Sequence, residues 1–317
     1  MERFVSRTEL ESLLASVARR TPDPRAGIFG PASITWKINR EAALFLGAGR
    51  AALLQLAHPW VAAALMQHSS LLGDPVARFQ NTFRVVFTMV FGSLHQALEA
   101  ARHLHKLHTH IQGELTEPVG GWPRGSHYEA NEMAALRWVY ATLVESAVLA
   151  YECVGHLPDA EREQYYQESK TMAALFGIPS EELPDSWDAF MEYNREMPGS
   201  GALGVSEASR AMANALLSGA GSRIRPPRWY RALTVEWLPG RIRDDFRLQL
   251  LIPDERAAAR ARRWLPRLWR MLPSFLRFVG PYQEGAARIS NHSSNALVRI
   301  SNRFWIGQSH LPFTEEP

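Results

Sequence analysis

Several shortages limit what this 317-residue chain can be. A single cysteine, Cys153, excludes an intrachain disulfide and any multi-cysteine zinc or iron–sulfur centre, and it fits a reducing compartment. Lysine is nearly missing: only Lys37, Lys106 and Lys170 stand among 35 basic residues, a preference for arginine that genome composition explains as well as function does. No run of alternating residues reads as strand, no internal repeat or low-complexity segment occurs, and no nucleic-acid motif is present. G-x-S-x-G, H-E-x-x-H and the Glu-x-x-His of di-iron bundles are all missing, which removes three common enzyme classes. The N-terminal MERFVSRTELESLLASVARR carries charge throughout and has no apolar core of a signal peptide, so the expected location is the cytoplasm.

What is present is a chain with 46% hydrophobic residues, enough to bury a large core. The spacing predicts an all-α fold: an N-terminal helix and connector over 1–27, one multi-helix domain over 28–300, and a polar tail over 301–317. Helices are expected at Arg7–Arg20, from Trp36 to Ala57 with a bend at Gly47-Ala48-Gly49, from Pro59 onward, and from Asp74 as N-cap to Gly92. Further helices are expected from Asn131 as N-cap to Val154, over Pro158–Phe176, Ser186–Arg195, Val205–Leu217, Pro239–Leu250 and Asp254–Met271. The uncharged run from Ala51 to Gly73 is long enough to raise a membrane span, yet Gln55, His58-Pro59, Gln67 and His68 interrupt it, and it reads as a buried helix–turn–helix. The longest clear loop of the first half, Glu114 to Ala130, is of the kind that lies over sites.

The stretch from Ser93 to Gly113 holds five of the eleven histidines. Ser93 and Gln96 form a capping box, and Leu94, Ala97, Leu98, Ala101, Leu104, His108 and Ile111 share one helical face, so His108 is expected to point into a core. His103, Lys106 and His110 fall on the polar side, while His95 and His105 flank the apolar stripe. A histidine on such a stripe is read either as a satisfied core residue or as a haem or metal ligand. His58, His68 and His108 on apolar helices, with Arg78 and Thr82 one turn apart, form a set that suits haem: an imidazole for iron, a guanidinium for a propionate, and apolar walls.

Two other motifs have a functional and a structural reading. Gly47-Ala48-Gly49-Arg50-Ala51-Ala52 imitates a dinucleotide turn, but no carboxylate lies between Glu41 and Asp74 to hold a ribose, which leaves close helix packing. The region Arg223 to Arg277 holds fourteen arginines against five carboxylates, a surplus of nine positive charges. It interleaves Trp264 and Trp269, which suits an anionic membrane surface or phosphate groups. The simpler reading is a helix with solvated arginines and inward tryptophans.

The order of FGPASITW, Glu41, RAALLQLAHPWVAAALMQHSS, DPVARFQNTF, FGS, HTHIQG, HYEANEMAALRWVYATL and YYQESKTMAALFGIP resembles the MpaB-like rubber-oxygenase catalytic-domain family, from about Ile28 to Met197. The resemblance to its latex-clearing branch implies an all-α fold holding haem b and using dioxygen to cleave an isoprenoid double bond. It gives His108, in H-x-x-[VI]-x-G, the proximal ligand role, and it assigns Arg78 and Thr82 to holding haem. The branch's lysine in Arg-x-x-Lys-Thr is replaced here by Asn81, and its catalytic glutamate has no counterpart in the preceding helix. His58 and His68 are candidates for the distal side, and Trp60, Phe83, Phe87 and Trp138 for the walls of an apolar pocket. The expected function is a haem b-dependent oxygenase acting with dioxygen on an apolar alkene of the isoprenoid type. The alternative is a haem- or lipid-binding helical protein without turnover, associated with a membrane surface.

Overall fold

The structure, a computed structural model, describes residues 3–68, 75–220 and 225–314. Asp74, expected as an N-cap, Arg223 of the basic region and the last residues of the expected tail lie outside the described residues. The fold is all-α, as the sequence predicts. In chain order the helices are α1 (Arg7–Arg20), α2 (Ile34–Asn39), α3 (Phe45–Leu56), α4 (Pro59–His68), α5 (Pro75–Phe91), α6 (Leu94–Thr109), α7 (Met133–Glu152) and α8 (Asp159–Leu175). The second half supplies α9 (Trp187–Glu196), α10 (Glu207–Ser218), α11 (Arg228–Glu236), α12 (Gly240–Asp245), α13 (Ile252–Met271), α14 (Ser274–Arg277), α15 (Gly280–Ile289) and α16 (Ala296–Ile306). Among the described residues the only sheet is one antiparallel pair, β1 (Gln112–Glu114) with β2 (His127–Glu129), in which Gly113 faces Tyr128.

The centre is the pair α3 and α7. Helix α7 is apolar over most of its surface, and it is the one described helix long and apolar enough to cross a membrane by length and composition, but most of it is buried inside the fold. Its polar atoms are satisfied by α3: Trp138 Nε1 donates to the Leu54 carbonyl at 2.9 Å, and Gln55 Nε2 donates to Thr142 Oγ1 at 3.0 Å. Buried Arg50 is balanced by Glu145 at 2.9 Å, Ser146 Oγ at 2.9 Å and the Trp237 carbonyl at 2.9 Å. The glycines of the Gly47-Ala48-Gly49 run are what let α3 approach: a side chain on Gly47 would overlap the Ser146 carbonyl, and one on Gly49 would meet Thr234 Oγ1 at 2.7 Å. That run is helical throughout and opens no βαβ unit.

Helices α5 and α6 form a hairpin turning at Gly92, where the Ser93–Gln96 capping box starts α6 as its sequence predicts. Gln96 Nε2 also donates to the Pro312 carbonyl at 2.9 Å, which fastens the end of the chain to the hairpin. The stretch expected as a polar tail is therefore not one over its described part. Helix α16 runs on to Ile306, and Trp305, Ile306 and Leu311 are buried, Trp305 against an aromatic face of Phe79, Phe83 and Phe87 on α5.

Other departures have similar non-local causes. The expected continuous helix from Trp36 breaks at Arg40–Glu41, because Glu41 turns inward to Arg277 and Trp269 more than two hundred residues away. The region Pro239–Leu250 is helical only over α12. Glu132, not Asn131, caps α7, its carboxylate accepting from the Ala135 N–H at 2.7 Å.

Candidate functional site

His108 lies in the last turn of α6, half-buried rather than in the core where its spacing put it. The core face of α6 is made by Gln96, Ala97, Ala100 and Ala101 near its start, and the helix emerges toward its end, leaving Leu107 exposed. Burial pulls the His108 imidazole down to about 4; the nearby His105 adds to that, and a side-chain hydrogen bond with Asn131 opposes it. The ring is neutral at pH 7, the state in which a nitrogen can ligate a metal.

Asn131 is the partner that sequence reasoning missed. It is buried, and its Nδ2 donates to the His105 carbonyl at 3.2 Å and to Thr109 Oγ1 at 3.3 Å, so one amide grips the turn on either side of His108. Its side chain also raises the His108 pKa, the direction expected of an acceptor beside the ring. The signal was present in HYEANEM, but an asparagine before a helix reads first as a cap. The other histidines of α6 are elsewhere engaged or exposed: His105 Nε2 lies 2.9 Å from the Val5 carbonyl, His103 packs on Phe313 at 5.6 Å, and His95 and His110 are exposed.

Arg78 and Thr82 sit on α5, one turn apart, with Thr82 Oγ1 donating to the Arg78 carbonyl at 3.2 Å. Burial draws the Arg78 guanidinium below its ordinary pKa, whereas Thr82 and Asn81 are exposed. At 1.5 Å per residue, Arg78 and His108 each lie about 20–25 Å along their helix from the turn at Gly92, so the antiparallel hairpin brings both to its open end. Exposed Val76 and Leu107 mark the same end.

His58 and His68 belong to the next layer. His58, at the α3–α4 junction, is 3% exposed, burial takes it down to about 4, and its Nδ1 has no hydrogen-bond partner among the described residues. Trp60 Nε1, on a ring 6.2 Å from His58, is likewise buried and unpartnered. Unsatisfied buried polar atoms are costly, and two together mark a place where water or a ligand completes the bonding. His68 is exposed, its Nε2 3.0 Å from the Gln112 carbonyl, while Gln67 accepts from Tyr128 Oη at 2.8 Å. Ile111, one turn past His108, packs with the cluster of Trp60, Ala63, Leu115 and Tyr128, so this layer borders the end of α6.

A separate cavity of about 80 Å³ lies between α2, α3, α5, α7 and α8, lined by Thr35, Asn39, Phe83, Phe87, Tyr140 and Ser169 among others. It has room for a few waters and is far too small for a macrocycle. Of the expected pocket walls, Phe83 and Phe87 line it; Trp60 is in the Ile111 cluster, and Trp138 is locked to α3.

Among the described residues no three His, Cys, Asp or Glu side chains converge as a direct metal site, so the α6 histidines do not act as a cluster. Haem asks for less from the protein: one neutral imidazole, a cation for its propionates and apolar surface. The donor set at the open end of the hairpin fits that requirement, with His108 neutral and Arg78 on the opposing helix.

A family model described as "ER-bound oxygenase mpaB/B'/Rubber oxygenase, catalytic domain" matches residues 36–271, a span that contains His58, His68, Arg78, Thr82, His108 and Asn131. No curated protein and no solved structure matches the chain.

Proposed function

Because the chain belongs to the MpaB/rubber-oxygenase catalytic-domain family, we propose that it is a haem b-dependent oxygenase using dioxygen on an apolar, alkene-containing substrate of the isoprenoid class. The observation that carries the haem assignment is the neutral imidazole of His108, on a turn that Asn131 holds through His105 and Thr109, at the end of the hairpin that also presents Arg78.

In this reading His108 would offer one ring nitrogen to iron, with Asn131 beside the ring to orient it. Arg78 would pair with a propionate, and the exposed Thr82 hydroxyl, which donates to the Arg78 carbonyl, would have its oxygen free to accept beside it. Bound haem would supply the dioxygen-activating centre. Of His58 and His68, the two candidates for the side facing a substrate, His58 would be the better placed to offer a hydrogen bond. It is neutral above about pH 4 with an unpartnered Nδ1, whereas His68 is occupied by the Gln112 carbonyl. The cluster of Trp60 and Ile111 would give that side an apolar wall.

Asn81, exposed where the latex-clearing branch has lysine, favours the alternative of haem binding without turnover. Haem-loaded protein, reduced without oxygen and then exposed to it with short isoprenoid alkenes, separates the two. Oxygenated product analysed by mass spectrometry supports the oxygenase, and spectral cycling without product overturns it in favour of binding alone.

A further inference from the structure

The basic helix answers differently from its simplest sequence reading. Trp269 does turn inward, its Nε1 donating to Glu41 at 2.8 Å. Trp264 stays at the surface, packed edge-on against Trp229 at 5.3 Å, and it begins an exposed apolar stripe that continues through Leu268, Met271, Phe275 and Leu276. Met271 is 81% exposed and Leu276 57%. Spacings of four and three residues keep Trp264, Leu268 and Met271 on one side of α13, and α14 extends the stripe around the corner.

Beside it runs a row of exposed arginines, Arg256, Arg260, Arg263, Arg267 and Arg270. None has a carboxylate within ion-pair distance among the described residues, although Arg228, Arg241, Arg247, Arg262 and Arg277 nearby are all paired. On a folded monomer a contiguous apolar stripe next to unpaired like charge marks an interaction surface. The corner is also held rigidly: Glu41, 1% exposed, accepts from Arg277 Nε and Nη2, both at 2.7 Å, as well as from Trp269. This clasp lies just behind Phe275 and Leu276 and fixes the angle at which they project.

We propose that the α13–α14 corner docks the protein peripherally on an anionic lipid bilayer, the stripe entering the acyl boundary and the arginine row pairing with phosphate headgroups. Tryptophan, large aliphatic side chains and a flanking row of cations are the combination that binds such an interface. A second copy of the chain fits less well, because a self-complementary contact through this surface would set arginine rows against each other. The proposal does not depend on haem, and a failure of either leaves the other standing.

The test is co-sedimentation of the full chain with vesicles of phosphatidylcholine alone and with about one-third phosphatidylglycerol. Binding to the anionic vesicles is expected, weakened about tenfold or more between about 0.1 and about 0.5 M salt. The double variant Met271→Glu, Phe275→Glu, at exposed sites and with an unchanged thermal melt, is expected to lose at least about tenfold in binding. Equal pelleting with and without anionic lipid, or full binding by the double variant, overturns the proposal. So does sedimentation velocity showing a dimer that the double variant abolishes.

Discussion

Asn131, two residues before α7, donates through its amide to the His105 carbonyl and the Thr109 hydroxyl on the turns that carry His108, and its side chain raises the pKa of the His108 imidazole against the pull of burial. One side chain thus couples the central core helix to the ring proposed to carry iron. Asn131→Ala is expected to lower the His108 titration further, since the bond it removes favours the protonated ring. It is also expected to weaken haem binding by about 10- to 100-fold. Haem titration followed by absorbance checks this, and unchanged affinity would mean that Asn131 only braces the fold.

Acid sensitivity follows from the two depressed histidines. His58 and His108 titrate near 4 when folded and near 6.5 when unfolded, so between those values the unfolded chain binds more protons. Their contribution to stability is complete above about pH 6.5 and is lost as pH falls toward 4. For His58, 3% exposed, the full loss amounts to about 3 kcal/mol, and half-buried His108 adds in the same direction. Urea midpoints from pH 7.5 to 4.5 should fall, and His58→Phe should flatten the curve; an equally steep fall in that variant would place the sensitivity elsewhere.

Gly47→Ala tests the contact at the centre of the fold. The added methyl overlaps the Ser146 carbonyl on α7, where neither helix can yield cheaply, and a loss of about 1–3 kcal/mol is expected. Thermal denaturation reads it, and a neutral substitution would show that α3 and α7 are not packed this closely.

Glu41→Gln removes the charge from a carboxylate that Arg277 and Trp269 share. Arg277 is about one-third exposed and can turn partly to water, so the expected cost is about 2 kcal/mol, below that of breaking a fully buried pair. The same variant should loosen the α13–α14 corner, measured as faster amide exchange over residues 271–278. Unaltered exchange there would argue against a clasp.

Local signals carried the fold class and the placement of the candidate residues on their helices. The capping box at Ser93, the bounds of α1, the small-residue packing of α3 and the one-turn spacing of Arg78 and Thr82 are written in neighbouring residues. What escaped was set by partners far along the chain. Glu41 breaks a helix to reach Arg277, aromatic rings on α5 bury the end of α16, and Asn131 serves α6 instead of capping α7. The helical pattern also overstated the depth of His108, because periodicity reports which face a residue is on and not how far that face stays covered.

The central claim is that His108 is the protein's haem ligand. The visible spectrum of purified protein loaded with haem, compared with His108→Ala at matched concentration and with matched thermal melts, tests it most directly. The expected result is a Soret band in the parent protein that the variant loses or shifts to the position of free haem. Full loading of His108→Ala with an unshifted band would contradict it.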